Sequence, residues 1–198
     1  MEKVIERMME IRWHSRAGQG AVTAAETLAA AALREGKHVQ AFPEFGPERM
    51  GAPLRAFNRI SPKPIRVHGV VEQANVVIVV DPSLLGAIPV DENVASDGIL
   101  VANTTKSVAE ARRMLTLNGQ EVACVDATQI AVDCFGMQKP NTPMLGAVAR
   151  VTDLVSLDTL LAEIEESFSK KFSPKVVEGN LNAVRRAYEE VSYGRSTR

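Results

Sequence analysis

Five consecutive β-branched residues, Val76-Val77-Ile78-Val79-Val80, run without a polar interruption and stop at Asp81-Pro82. A strand with one wet face alternates apolar and polar side chains. A continuous run of this kind is instead the pattern of a central parallel strand buried on both faces. Parallel strands require crossover connections, so this one segment already points to an α/β chain.

The rest of the chain supplies the matching strand and helix rhythm. Glu10 to His14 reads as a first strand, followed by the glycine turn Ala17-Gly18-Gln19-Gly20. Ala21 to Arg34 is alanine-rich and of high helix propensity, and Gly36 sits where a helix C-terminal glycine belongs. Val39 to Phe42 and Leu54 to Ile60 read as extended, and Ile99 to Ala102 and Glu121 to Val125 as further strands. Ser107-Val108-Ala109-Glu110 has the form of a capping box and predicts a helix running to about Leu117. Thr128 to Phe135 predicts another. From Thr142 onward the pattern is helical: Leu160, Leu161, Ile164 and Phe168 share one helix face. Val177, Leu181, Val184, Tyr188 and Val191 share a second, opened by Ser173-Pro174. The expectation is one α/β domain over residues 1–198. It is Rossmann-like, with a mostly parallel open sheet, flanking helices and a helical C-terminal end.

Charge and composition exclude several function classes. Lys plus Arg number 23 against 24 Asp plus Glu, so the clustered positive excess of a nucleic-acid binder is missing. No stretch approaches the roughly 20 apolar residues of a membrane span. The charged N-terminus MEKVIERMMEIRW lacks the apolar core of a signal peptide, so the expected location is cytoplasmic. Cys124 and Cys134 are too few for a disulfide framework or for the four ligands of an iron–sulfur cluster.

Two segments could carry chemistry. In the first, Gly18-Gln19-Gly20 joins a strand to a helix, where a bare backbone and free N–H groups can meet an anion. A dinucleotide fingerprint would have a third glycine where Thr23 stands and an acidic residue ending the second strand, and neither is present. The turn is therefore either a tight structural turn or a ligand- or partner-facing one. The second is Pro43 to Pro53, with three prolines and two glycines, too stiff for a regular element. Its Phe45, Gly46, Pro47, Glu48, Arg49, Met50 and Gly51 display charge beside apolar side chains. That suits an interface or an active-site-facing loop better than a purely structural one.

Other candidates are weaker. His14, His38 and His68 have no metal-ligand spacing, and Ser15 and Ser83 no nucleophile-elbow context. Asp81 lies at the sheet edge where open α/β sheets bind ligands, but capping the Pro82-Ser83-Leu84 turn explains it better. Arg55 and Arg59 are two alternations apart and can simply share a polar strand face, whereas with Arg49 they could hold a phosphate. No self-contained catalytic set and no metal site emerges.

At this point a resemblance becomes visible. Ser15-Arg16-Ala17-Gly18-Gln19-Gly20-Ala21 and Phe45-Gly46-Pro47-Glu48-Arg49-Met50-Gly51-Ala52-Pro53 resemble the gamma subunit of 2-oxoacid:ferredoxin oxidoreductases, most closely the pyruvate type. Val80-Asp81-Pro82-Ser83 and Asn141-Thr142-x-x-Leu145-Gly146-Ala147 fit the same family. The resemblance implies a complex converting pyruvate, coenzyme A and oxidised ferredoxin to acetyl-CoA, carbon dioxide and reduced ferredoxin. It also implies alpha, beta and delta partner subunits. Thiamine diphosphate and 4Fe-4S clusters would sit on those partners and no cofactor on this chain, which would complete the assembly beside the active site. Two alternatives stay open: a branched-chain 2-oxoacid version of the complex, and a stand-alone nucleotide-binding oxidoreductase using Gly18 to Gly20.

Overall fold

The structure, a computed structural model, describes residues 6–44 and 51–194. Its strands are β1 (Met9–Arg16), β2 (His38–Pro43), β3 (Pro53–Ser61), β4 (Ala74–Val79), β5 (Val94–Asn103), β6 (Glu121–Val125) and β7 (Ser192–Gly194). Its helices are α1 (Ala21–Arg34), α2 (Val108–Arg113), α3 (Ala127–Phe135), α4 (Asn141–Val151), α5 (Leu157–Ser169) and α6 (Pro174–Glu190).

The seven strands form one sheet in the order β2-β3-β1-β4-β5-β6-β7. The pairs β1–β4, β4–β5 and β5–β6 are parallel, and the valine-rich β4 lies in the middle of them. Antiparallel pairs close both sides: β3 runs against β1 and β2, and β7 against β6. The sheet is thus an α/β sheet with a parallel centre, as the sequence implies.

Residues alternate strictly between two cores. Ile11, Trp13, Val76, Ile78, Val101, Ala123 and Val125 point to a face covered by α1, α3, α4, α5 and α6. Phe57, Val77, Val79, Leu100 and Ala102 point to the other, which is covered by irregular chain around Leu84, Leu85 and Val90. The helices are therefore not shared evenly. The β4–β5 connection holds only the short 3-10 turn Pro82–Leu84, and α2 packs near β6 at the margin of that face.

Small residues set the helix spacing. Ala21, Ala24, Ala25, Ala31 and Ala32 are buried along α1 and let it lie close to the sheet. Asn58 of β3 pins it there, accepting from Trp13 Nε1 at 2.8 Å and donating to the Ala25 carbonyl at 2.8 Å. A Cβ on Gly146 of α4 would lie 2.1 Å from the Val184 carbonyl oxygen, so α4 crosses α6 with the two backbones in contact. Gly146 thereby fixes where the N-terminus of α4 sits relative to α1.

Two sequence expectations need correction. The helix after Ser107 stops at Arg113 and does not reach Leu117: its backbone tightens into a turn at Met114–Leu115, ahead of Asn118-Gly119. The C-terminal region is not helical to its end. After α6 the chain extends, and Ser192–Gly194 adds β7 to the edge of β6 because Val122 to Cys124 would otherwise leave their backbone unpaired on that side.

Candidate functional site

Strand order reverses between β1 and β4. From β1 the chain turns through α1 toward β2, and from β4 it turns toward β5. Open α/β sheets leave a crevice at such a point, outside the carboxyl ends of the strands. Here those ends carry the glycine turn and the turn led by Asp81.

The two turns are locked together. Asp81 caps Pro82–Leu84, its Oδ1 accepting from the Ser83 N–H at 2.8 Å. Its Oδ2 accepts from Gln19 Nε2 at 2.5 Å, and Arg16 Nε lies 3.7 Å away. Arg16 also donates to Ser83 Oγ from Nε and Nη2, at 3.1 and 2.9 Å. Burial alone would raise the Asp81 pKa. The bonds from Ser83 and Gln19 and the charge of Arg16 outweigh it and hold the carboxyl below its ordinary value.

The same arginine reaches the proline-rich segment. Arg16 Nη1 donates to the Gly51 carbonyl at 3.0 Å, and the Ala17 N–H donates to the Ala52 carbonyl at 3.0 Å. On the entry side Glu44 forms a bidentate ion pair with Arg55. Phe45, Gly46, Pro47, Glu48, Arg49 and Met50 lie outside the described residues, but both flanks of the segment are fixed at the switch-point edge.

The glycine turn adopts the backbone its sequence requires. Gly20 is the N-terminal boundary of α1 with φ +79° and no side-chain cap. A Cβ there would lie 2.7 Å from Asn141 Nδ2. Gly18, Gln19 and Gly20 also form one end of a groove of about 520 Å³ between α1, the start of α4, α5 and the start of α6.

The remaining predicted groups are structural. Arg59 is almost fully buried and holds Glu10 at 2.8 Å, Gln40 and the Val70 carbonyl, with its guanidinium over the Phe42 ring. Arg55 pairs with Glu44, so the two arginines are not gathered around one anion site. His14 is buried and accepts from Arg12 Nε at 3.1 Å. Burial, followed by the charges of Arg12 and Arg55, pushes its pKa down to about 3. His38 and His68 are exposed. Ser15 is buried, and its hydroxyl has no hydrogen-bond partner among the described residues. Burial pushes the Cys124 thiol up to about 11, which makes it a poor nucleophile. Among the described residues no group of three or more His, Cys, Asp or Glu is placed to hold a metal ion. No helix among them is long and apolar enough to cross a membrane.

Sequence reasoning passed over Arg16 and Asn103. Asn103 Nδ2 bonds the Val80 carbonyl and Thr128 Oγ1, both at 2.8 Å, and ties the ends of β4 and β5 to α3. Its only sequence signal is a carboxamide at the end of a buried strand.

The model of the pyruvate ferredoxin/flavodoxin oxidoreductase family matches residues 10–190. The chain belongs to this family. It is 50% identical over 188 residues to pyruvate synthase subunit PorC of Thermotoga maritima, covering 95% of this chain and 97% of that one. It is 48% identical to the common gamma subunit of the pyruvate/ketoisovalerate oxidoreductases of Pyrococcus furiosus, covering 92% and 97%. The crystal structure of the Thermotoga PorC subunit superposes with a TM-score of 0.84, at 46% identity over 95% of this chain and 99% of that one. The resemblance seen at the glycine turn and the proline-rich segment therefore extends through the whole sheet.

Proposed function

We propose that this chain is the gamma subunit of a cytoplasmic pyruvate:ferredoxin oxidoreductase, which converts pyruvate and coenzyme A to acetyl-CoA and carbon dioxide while reducing ferredoxin. Residues 1–198 act as one domain that completes the assembly with alpha, beta and delta subunits. Thiamine diphosphate supplies the carbanion chemistry and iron–sulfur clusters carry the electrons. The donor set of this chain does not fit an iron–sulfur cluster. Its two cysteines fall short of a cluster's usual four thiolate ligands, and the one with a raised pKa is buried. Those cofactors belong to the partner subunits.

One observation carries the reading. The Arg16, Gln19, Asp81 and Ser83 lock fixes both the glycine turn and the downstream flank of the Phe45 to Gly51 segment at the sheet's ligand edge. Rigid presentation of a loop by a scaffold is the arrangement expected when a partner surface or substrate meets that loop. We assign Gly18, Gln19, Gly20 and the Phe45 to Gly51 segment to that contact, with coenzyme A entering beside it.

The test is co-expression with the alpha, beta and delta subunits, followed by size-exclusion chromatography and a ferredoxin-reduction assay. The expected result is a brown complex that contains this chain and needs it for coenzyme A-dependent pyruvate oxidation. The isolated chain should be colourless and bind neither thiamine diphosphate nor iron stoichiometrically. A complex fully active without the chain, or four irons on the isolated chain after reconstitution, would overturn the assignment.

A further inference from the structure

The groove behind the glycine turn has a second character that the switch-point edge does not explain. We propose that it is a docking site for an acidic and apolar segment of a partner subunit. The segment's carboxylate would seat where the first turns of α1 and α4 meet, and its apolar side chain would lie across Phe168 and Phe172. This rests on the reading of the chain as a subunit, and adds an interface that runs from the shared glycine turn away from the proline-rich segment.

Two helix N-termini converge at one end of the groove. Neither Gly20 ahead of α1 nor Pro140 ahead of α4 offers a side-chain cap. The first-turn N–H groups, which in α4 are those of Asn141 and Thr142 because Pro143 has none, therefore have no intrahelical partner, and the helix dipoles add positive potential. The two ends touch, as the 2.7 Å separation between a Cβ on Gly20 and Asn141 Nδ2 shows.

Polar groups on the groove wall point the same way. Thr142 lines the groove, is 4% exposed, and has no hydrogen-bond partner for its hydroxyl among the described residues. Asn180, 6% exposed, donates Nδ2 to the Val176 carbonyl at 2.8 Å, and its Oδ1 accepts no bond among the described residues. Neither atom is sealed from solvent, so both are open to a ligand in the groove. Lys139 and Lys171 also line the groove without an ion pair among the described residues. Glu163 is neutralised by Arg34, which leaves Glu26 as the one uncompensated carboxylate, on the α1 wall.

The apolar lining decides for a polypeptide over a small anion. Phe172 is 49% exposed and Met137 41%, and Phe168 meets Phe172 edge-to-face with ring centroids 5.4 Å apart. Large apolar side chains gathered in a concavity mark an interaction surface. A phosphate cradle needs successive N–H groups turned to the anion. Here the Ala17 N–H is spent on Ala52, the Gln19 N–H on Arg16, and the Arg16 N–H on Gln19 Oε1. Two carboxylate oxygens need fewer donors than a phosphate, and the first turns of α1 and α4 can provide them.

The test compares amide hydrogen exchange of the chain alone and in the assembled complex, and repeats the assembly with Lys139→Glu/Lys171→Glu. Assembly should slow exchange in segments 137–144 and 168–177 by about tenfold or more. The charge-reversed chain should keep its urea midpoint yet bind its partners about tenfold or more weakly, while Lys139→Arg/Lys171→Arg should assemble normally. Assembly that leaves the groove exchanging as in the free chain would overturn the docking site alone, as would full assembly of the charge-reversed chain. Protection by inorganic pyrophosphate, without protection on assembly, would assign the groove to a small anion and overturn it too. A wild-type chain that never assembles would overturn both this site and the subunit reading beneath it.

Discussion

Gln19 and Asp81 stand 62 residues apart in the chain and are joined by a hydrogen bond of 2.5 Å at the carboxyl edge of the sheet. Gln19 works in both directions, since its Oε1 also accepts from the Arg16 N–H at 2.8 Å. Replacing Gln19 by Ala removes a bond to a charged partner and orphans a backbone donor. The expected loss is about 2–3 kcal/mol of stability, measured by urea unfolding of the isolated chain. Gln19→Glu should be worse than Ala above pH 5, because a second carboxylate would face Asp81. Equal stability of all three proteins would show that the lock is ornamental.

Gly20 is constrained twice, by its φ of +79° and by Asn141 Nδ2 at 2.7 Å from any added Cβ. Gly20→Val should therefore destabilise the chain by about 2 kcal/mol or more, combining backbone strain with a displaced Asn141. Cys134→Ala should cost less, since Cys134 is only half-buried and packs at the core's margin. The comparison is made by thermal unfolding and by yield of assembled complex. Equal, small effects would mean that the turn tolerates a β-branched residue.

His14 gives a pH dependence of known sign. Its imidazole is kept neutral in the fold, with a pKa of about 3 against 6.5 when unfolded. The unfolded chain binds the extra proton below pH 6.5, so this contribution to stability is present above 6.5 and lost as pH falls toward 3. From pH 7 to pH 5 the loss should reach about 2 kcal/mol. Carboxylates titrate mostly below this window, so the slope isolates histidine. His14→Gln, whose carboxamide oxygen can still accept from Arg12, should flatten it. An unchanged slope in the variant would mean that another group is responsible.

How much of this was legible in the sequence follows from how local each signal is. Helix α1 begins at Ala21 and ends at Arg34, as the glycine turn, the alanine run and Gly36 require. Ser107 and Glu110 form the reciprocal capping box that their spacing predicts, with Glu110 Oε2 accepting from the Ser107 N–H at 2.9 Å. Asp81 caps its turn as expected. What the sequence hid is assembled from distant segments. Arg16 touches Gly51 and Ser83, which lie 35 and 67 residues away. Nothing around Arg16 distinguishes it from a surface arginine. The groove likewise needs four helices in place before Thr142 or Lys171 has a common neighbour. Strand β7 was missed because three residues after a long helix carry too little alternation to register.

Arg49 is the remaining element of the proline-rich segment to test, and it lies outside the described residues. Its flanks are held by Arg16 on one side and by the Glu44–Arg55 pair on the other, so a change at Arg49 should leave the sheet untouched. Arg49→Ala should thus unfold at the same urea concentration as wild type. In the complex a planar guanidinium offers bidentate pairing with a carboxylate or phosphate. If that pair is buried, its loss should cost about 2–5 kcal/mol. With Phe45 and Met50 close to it in sequence, the expected readout is weaker assembly in size-exclusion chromatography of the co-expressed subunits. Normal assembly with a raised KM for coenzyme A would instead make Arg49 a phosphate ligand. Arg49→Lys separates the two further, because a point charge can still attract a phosphate but cannot replace a bidentate fork to a carboxylate. Wild-type assembly and wild-type kinetics in Arg49→Ala would remove the arginine from both roles and return the segment to a structural one.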